Sequence, residues 1–312
     1  MRNTIPRVSV VICTHNRARD LERALESLAH QVGATFPWEI IVVDNASTDH
    51  TPLVVARWKH ELPVGRVVES RPGLCHARNT GWQNARSDVI AYLDDDALAD
   101  PDWLTVIRAR FDERDATLGC IGGKVDPIWE APRPAWLSDQ VAAGLTIVNW
   151  SDRTRTITDL QEVWLVGANI AFRRDALVAS GGFHPALDRS GTRLLSSGDV
   201  YLTKRILELG YECEYHPAMR VRHRVPGNRL TQQWFRRRFF WQGVSNAIME
   251  TLDMNGARLA RLRRAIQHGA RLAKKPRDLV SVFERTEDPA AFQKQCWTLV
   301  ELGRLARLVG VA

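Results

Sequence analysis

Residues 88–97 read Asp-Val-Ile-Ala-Tyr-Leu-Asp-Asp-Asp-Ala, an apolar run that ends in three adjacent carboxylates. A short run of β-branched, aromatic and aliphatic residues is typical of a buried strand. Neighbouring carboxylates repel one another, so a folded protein neutralises them with a divalent cation, with basic side chains or with solvent. The segment alone leaves two interpretations open: an oxygen-rich cation site, or an acidic turn in water.

Strands and helices alternate on the N-terminal side of this segment. We predict buried strands at 7–13, 38–43, 67–69 and 88–93, and helices at 17–29, 51–60 and 73–85. Such alternation with short connections indicates a doubly wound, largely parallel sheet. Ligands of these sheets bind at the carboxyl ends of the strands. Those ends carry the polar residues 14–17, 44–45 and 94–96.

The rest of the chain is less regular and then helical. Residues 126–166 combine three prolines with four tryptophans and show no clear period. We predict a strand near 163–172, a helix near 199–209, two strands at 211–215 and 219–223, and only helices after residue 227. The fold class is therefore α/β, with a helical C-terminal extension.

Composition excludes several classes of protein. The hydrophobic share is 45% and there is no low-complexity segment, so the chain is neither fibrous nor wholly disordered. No run of about 18 apolar residues predicts a membrane-spanning helix. The five cysteines are scattered without a C-x-x-C pair, which argues for reduced thiols and against structural zinc. Residues 1–7 lack the apolar core of a signal peptide, so we expect a cytoplasmic protein.

The net charge of +7 arises from 43 basic and 36 acidic residues. Residues 220–277 contain fifteen of the basic residues and only two acidic ones, so the positive charge belongs to the C-terminal part. Such an excess suits nucleic acid, an anionic membrane or an anionic substrate. No nucleic-acid-binding motif is present, and no nucleic-acid partner is expected.

Several blocks, taken in order, resemble the family 2 glycosyltransferases, which have the GT-A nucleotide-sugar-binding fold. The blocks are residues 8–17, 39–49, 73–74 with 77–81, 93–96, and 167–169 with 181–183. The resemblance covers about residues 7–240. It implies a GT-A-like, Rossmann-like and mostly parallel central sheet flanked by helices. It also implies a catalytic domain over 1–226, with a nucleotide-binding half at about 1–100 and an acceptor-side half at about 101–226. Residues 227–312 are then a basic helical extension.

The resemblance implies a role for each matching position. Asp44 would hydrogen-bond the base of a nucleotide, with Thr14 and Asn16 in the same pocket, and Arg78 would place base or phosphate. Asp94 would face the ribose or the metal, and Asp96 would bind a Mn or Mg ion that bridges the diphosphate. The expected nucleotide-sugar-binding set is Thr14, Asn16, Arg17, Asp44, Asn45, Arg78, Asp94, Asp95 and Arg229. The alternative role for Thr14 and Asn16 is loop capping, and for Arg78 a place on a helix surface.

Glycosyl transfer with inversion needs a carboxylate that takes the proton of the acceptor hydroxyl, and positive charge that stabilises the leaving diphosphate. Asp199 is the candidate base; its alternative role is an N-cap. His223 matches a family histidine that reaches the metal or diphosphate, so the expected metal ligands are Asp94, Asp96 and His223. Arg229, in a loop with Arg224, would pair with phosphate.

The acceptor is expected to be a glycan, a lipid-linked sugar or a small molecule with a free hydroxyl. The expected acceptor-side residues are Trp164, Gly167, Asn169 and Gly198. The family usually has a glutamate at the position of Gly198. Its absence here affects the expected contacts with the acceptor more than the chemistry. Tryptophan faces stack on sugar rings, although most tryptophans serve packing.

Apolar residues recur at helical spacing from residue 258 onward, and Arg and Lys occupy much of the remaining helix surface. The apolar positions are Leu259, Leu262, Ile266, Ala270 and Ala273. This pattern leaves two interpretations. The helix lies on an anionic membrane surface, at the inner face of the membrane, or it packs on the catalytic domain with its charges in water.

Three other functions compete with sugar transfer. A nucleotidyltransferase on a related sheet usually has a glycine-rich loop after its first strand, and residues 14–17 contain no glycine. A non-catalytic nucleotide- or glycan-binding protein would need no base. A nucleic-acid-binding module would use the basic tail alone.

Overall fold

The computed structural model describes residues 5–114, 116–189, 191, 193–254 and 258–312. The first four residues, part of the segment that argued against a signal peptide, lie outside this set. The strands are β1 Val8–Thr14, β2 Trp38–Asp44, β3 Val64–Val68, β4 Val89–Leu93, β5 Ala97–Ala99, β6 Leu118–Trp129, β7 Arg155–Thr156, β8 Asn169–Arg173 and β9 Glu212–Val225. The helices are α1 Ala18–Ala29, α2 Thr51–Trp58, α3 Leu74–Asn84, α4 Trp103–Glu113, α5 Asp139–Ala142, α6 Arg174–Ser180, α7 Gly198–Glu208, α8 Gln232–Asp253, α9 Arg258–Ala273, α10 Pro276–Val280 and α11 Pro289–Val309.

The strands form one mixed sheet in the order β3-β2-β1-β4-β8-β6-β9-β5, with β7 paired to β9. β1, β2, β3 and β4 are parallel, as the alternation with helices predicts. β8 is antiparallel to both β4 and β6, and β5 is antiparallel to β9. The expected α/β class is confirmed; its parallel character is confined to the first half of the sheet.

The central strands are buried on both faces. Val10 and Ile12 of β1 pack into one apolar cluster, and Val11 packs into another on the opposite face. This double burial explains why β1 is almost continuously apolar. Helix α1 covers the first cluster with Leu21, Leu25 and Leu28, which recur at helical spacing.

Several boundaries differ from the sequence-based prediction. The strand expected near residue 163 begins only at Asn169. The two strands expected at 211–215 and 219–223 form the single 14-residue strand β9. The strands β5 and β6, which belong to the antiparallel half of the sheet, and the helix α4 between them were not predicted.

The chain divides into two compact units. The first contains Met1–Ile128, Thr146–Pro185 and Gly198–Arg224, and the second contains Trp129–Leu145, Ala186–Ser197 and Val225–Ala312. The first unit contains nearly the whole sheet. The second is built on α8, α9 and α11, which pack together. Within the described residues no helix combines the length and the apolar character needed to span a membrane.

The crossing of α8 and α11 depends on two glycines, and alanine should destabilise it. A Cβ at Gly243 would lie 2.0 Å from the Val300 carbonyl oxygen, and one at Gly303 would lie 2.0 Å from that of Phe240. Because the backbones of α8 and α11 must move apart to admit the methyl group, we expect Gly243→Ala to lower the free energy of unfolding by roughly 1–3 kcal/mol. Denaturant titration measures this change.

Gly269 on α9 is the matched control, because among the described residues no atom outside its own stretch of helix lies within 4 Å of a Cβ placed there. Gly269→Ala should raise stability by about 0.5–1 kcal/mol through helix propensity alone. If both alanine variants shift stability in the same direction, the close crossing of α8 and α11 is wrong.

Candidate active site

The acidic segment after β4 is neutralised by an arginine from the loop after β1. The Nη1 atom of Arg17 donates to Asp95 Oδ1 at 2.7 Å and to Asp96 Oδ2 at 2.8 Å. The Thr14 hydroxyl donates to the other oxygen of Asp95 at 2.7 Å. Asp95 and Asp96 are buried. Burial raises the pKa of Asp95, and the Arg17 charge only partly opposes that rise. Asp95 and Asp96 are therefore not part of a solvated turn.

His223 faces the same segment from β9. Strand β9 pairs with β5 so that His223 lies opposite Ala97, directly after the acidic segment. The Nε2 atom of His223 lies 3.1 Å from Asp96 Oδ1, and both side chains are almost fully buried. Its Nδ1 atom is buried without a hydrogen-bond partner. The structure thus brings together two of the three expected metal ligands.

Asp94 points to a different partner, the guanidinium of Arg78. The Nη2 atom of Arg78 lies 3.2 Å from Asp94 Oδ1. The Arg78 side chain is only 7% exposed and lies over the ring of Phe183, 5.3 Å from its centroid. The hydroxyl of Tyr92 donates to the backbone carbonyl of Arg78 at 3.0 Å. Arg78 is therefore a buried charge, not a residue of the helix surface.

Asp199 lies at the start of α7. Its Oδ2 atom accepts a 2.6 Å hydrogen bond from the Gly167 backbone N–H, and its Oδ1 atom accepts one from the Val200 N–H at 2.9 Å. Burial alone would lower the pKa of Arg78, but the charges of Asp94 and Asp199 raise it above its ordinary value. Arg78 thus pairs with the acidic segment and lies beside Gly167, whose N–H holds the candidate base.

The second polar strand end, after β2, is organised around Asp44. The Oδ1 atom of Asp44 accepts a hydrogen bond from the Ser47 N–H at 2.8 Å, and its Oδ2 atom lies 3.1 Å from Arg66 Nε. Asn45 donates to the carbonyls of Glu69 and Arg71 and accepts from the Gly73 N–H. Asp44 is thus a fixed, buried carboxylate, and Asn45 joins the loop after β2 to the loop between β3 and α3.

The first loop also uses its polar residues internally. Asn16 has a φ of 53°, and its side-chain oxygen accepts hydrogen bonds from the N–H and the hydroxyl of Thr48. The Ser47 hydroxyl accepts the Asn16 N–H at 3.0 Å. Asn16 therefore joins the loops after β1 and β2, in the arrangement that the capping interpretation describes.

Residues 9–179 match the model of the family described as "Glycosyl transferase family 2", which is more than half of the chain. The chain belongs to this family. Its activity is glycosyl transfer, as the sequence resemblance implies. Membership favours that activity over the nucleotidyltransferase, the binding protein and the nucleic-acid-binding module.

Relatives of this transferase act in glycan synthesis. The glucosyl-dolichyl phosphate glucuronosyltransferase of Haloferax volcanii is 27% identical over 251 residues, which are 79% of this chain and 78% of the relative. The mannosyltransferase PcManGT from Pyrobaculum calidifontis, solved with GDP-Man and Mn2+, has a TM-score of 0.57 at 23% identity, covering 99% of this chain and 88% of that chain. Residues 1–349 of S. aureus TarS, solved with UDP-GlcNAc, give 0.55 at 18%, covering 77% and 66%. These structures support the GT-A fold.

The expected acceptor-side residues have mostly internal contacts. Asn169 is fully buried; its amide donates to the Lys124 and Met219 carbonyls and accepts from the Trp103 indole. The Trp164 ring packs against Trp150, 4.1 Å between centroids. A Cβ at Gly198 would lie 3.1 Å from Cys75 Sγ, and one at Gly167 would lie 2.0 Å from Arg78 Nη2. Arg229 belongs to the second unit, in the 3-10 turn Gly227–Arg229.

Two residues that shape the site had no predicted role. Arg66, which the sequence did not single out, lies on β3 and pairs with Asp44. Phe183, which belongs to the block 181–183 of the resemblance, lies beneath the Arg78 guanidinium. The signal for Arg66 is an arginine inside an otherwise apolar strand segment next to the strand that ends in Asp44. Phe183 gives no such signal, because an aromatic residue after two glycines serves packing equally well.

Proposed function

We propose that the first unit catalyses inverting transfer of a sugar from a nucleoside diphosphate to a hydroxyl acceptor. One observation carries this proposal: the buried Arg78 pairs with Asp94 of the acidic segment and lies in the field of Asp199. A sugar donor bound at the acidic segment would then lie near the Asp199 carboxylate. The proposed catalytic domain is residues 1–226, which include the whole of the first unit.

The proposed chemistry assigns one proton transfer to Asp199. Its carboxylate takes the proton of the acceptor hydroxyl as the hydroxyl oxygen bonds to the anomeric carbon. The bond from that carbon to the diphosphate breaks, and the diphosphate leaves with the electron pair. The Gly167 N–H orients the carboxylate through its 2.6 Å hydrogen bond. Attack opposite the leaving group inverts the anomeric carbon.

Two residues fit the divalent cation of the proposal. Asp96 supplies carboxylate oxygen and His223 supplies imidazole nitrogen, both of which suit Mn, and their donor atoms are 3.1 Å apart. Among the described residues no three Asp, Glu, His or Cys side chains gather into a complete site. Two protein ligands plus substrate phosphate is a usual arrangement for such ions. When bound, the cation would stabilise the charge of the leaving diphosphate.

The names of relatives support the donor and acceptor classes. GDP-Man with Mn2+ and UDP-GlcNAc are bound in the structures with similar folds, and the glucuronosyltransferase relative is named for a dolichyl phosphate acceptor. We therefore propose a nucleoside diphosphate sugar as donor, a lipid-linked or polysaccharide glycan as acceptor, and a site of action in the cytoplasm at an anionic membrane surface.

Mn2+ binding, measured by the loss of the free-ion electron paramagnetic resonance signal, tests the donor site. We expect tight binding of Mn2+ together with one of UDP, GDP or dTDP. Asp96→Asn should weaken it at least about tenfold, because it removes a ligand charge. Arg17→Met should strengthen Mn2+ binding without nucleotide, because Arg17 competes for Asp96 Oδ2.

Asp152→Asn, which changes an exposed aspartate of the first unit, is the control and should leave Mn2+ binding unchanged. Unchanged binding in Asp96→Asn contradicts the proposed cation site. Release of pyrophosphate instead of nucleoside diphosphate during turnover contradicts the proposed reaction.

A further inference from the structure

Helix α9 presents its apolar residues to solvent. Leu259 is 74% exposed, Leu262 57% and Ile266 63%. Ala270 and Ala273 are exposed as well. At 3.6 residues per turn these five residues lie within about 80° of the helix circumference. We call them the α9 stripe. The stripe is therefore not the side by which α9 packs on α11.

The buried side of α9 lies elsewhere on the helix. It consists of Ala265, His268 and Leu272. His268 Nδ1 lies 2.6 Å from Glu301 Oε2 on α11, and Arg261 donates to the Leu308 and Arg307 carbonyls at the end of α11. These polar contacts, together with the apolar packing of Ala265 against Ala247 and Leu308, hold α9 in place through a side other than the stripe. The helix is thus anchored with its apolar stripe directed outward.

Basic residues border the stripe on both sides. On the helix circumference Arg258 follows one edge and Arg263 the other, each within about 40°. Both are exposed. Residues 254–277 contain eight basic residues and no acidic one. An exposed apolar stripe between positive charges matches a helix that lies in the interface of an anionic membrane.

We infer that α9 docks on an anionic lipid surface, with the stripe among the acyl chains and the arginines at the headgroups. A second copy of the chain fits the same stripe less well. In a symmetric dimer the arginines bordering one stripe would face those of the other, and like charges disfavour association. Lipid phosphates instead neutralise them.

The inference rests on the proposed function in one respect: a lipid-linked acceptor would lie in the membrane on which α9 docks. Its test needs no sugar transfer. Sedimentation with vesicles of phosphatidylcholine mixed with phosphatidylglycerol, at low salt, should carry the wild-type protein into the pellet. Vesicles of phosphatidylcholine alone should not. Turnover with a soluble acceptor tests the proposed function separately.

Leu262→Glu should lower the affinity for the anionic vesicles at least about tenfold, because it places a carboxylate in the stripe. Arg263→Ala should lower it about fivefold. The matched control is Leu53→Glu, since Leu53 is 64% exposed on α2 in the first unit. It should sediment like the wild type.

Three outcomes would overturn the inference. In the first, the wild type does not sediment with anionic vesicles. In the second, Leu53→Glu reduces vesicle binding as much as Leu262→Glu does. In the third, analytical ultracentrifugation shows a wild-type dimer that Leu262→Glu dissociates, while vesicle binding is unaffected. Circular dichroism confirms that each variant is folded before vesicles are added.

Discussion

Asp199→Asn is expected to lower kcat by roughly 10²- to 10⁴-fold, the usual share of general base catalysis. An asparagine has nearly the same volume, and its carbonyl oxygen still accepts the Gly167 N–H. What it loses is the ability to take a proton, the negative charge near Arg78, and the acceptor for the Val200 N–H. Affinity for the nucleoside diphosphate should stay within about twofold, because Asp44 and Asp96 are unaltered. The rate of diphosphate release in the presence of acceptor, and calorimetric titration with nucleotide, measure the two quantities.

Asp175→Asn provides a closely matched control. Asp175 is the second residue of α6 in the same unit, as Asp199 is of α7, and its Oδ1 accepts the N–H of the next residue at 2.9 Å, as Asp199 Oδ1 does. It has no role in the proposed chemistry, so kcat should be unchanged. Normal turnover in Asp199→Asn would show that another group takes the proton. Equal losses in both variants would show that the effect is structural.

The sequence predicts which residues at the strand ends belong to this site better than it predicts which side chains contact one another. Asp44 and Asp96 were expected because parallel strands end at one edge of a sheet, and the structure places both in buried positions there. The bonds from Arg17 to Asp95 and Asp96 join residues almost eighty positions apart. No local pattern in the sequence specifies such a contact, because it depends on how the loop after β1 closes.

Strand β9 shows why the second half of the sheet was harder to predict. Pro217 interrupts its apolar pattern, since proline lacks the N–H that a sheet uses and usually marks a strand end. In the structure the strand continues because different partners pair with its two parts. β7 pairs with Glu214 and Tyr215, and β5 pairs with Val221–His223.

Helix α9 shows a different limit of periodicity. The apolar spacing correctly predicts a helix, but the buried side contains His268, whose partner Glu301 lies on α11. A sequence pattern separates apolar from polar residues on a helix. It does not tell which side of the helix packs on the protein, because that depends on partners such as Glu301 on another helix.

Gly167→Ala is expected to lower kcat about 10²-fold while leaving the fold intact. A Cβ at this position would lie 2.0 Å from Arg78 Nη2 and 2.5 Å from Cζ, so the guanidinium must leave its place beside Asp94. Misplacement of a positioning group by about 1 Å costs a factor of this size. The backbone of Gly167 does not adopt a positive φ, so alanine itself adds no strain.

The double variant Gly167→Ala with Arg78→Met separates displacement of Arg78 from any other effect of the methyl group. If both changes act through the guanidinium, the loss in the double variant should not exceed that of Arg78→Met alone. Gly65→Ala on β3 is the control, because the nearest atom to a Cβ there is 4.0 Å away. Additive losses, or full activity in Gly167→Ala, would mean that sugar transfer does not require Arg78 to link the acidic segment to Asp199.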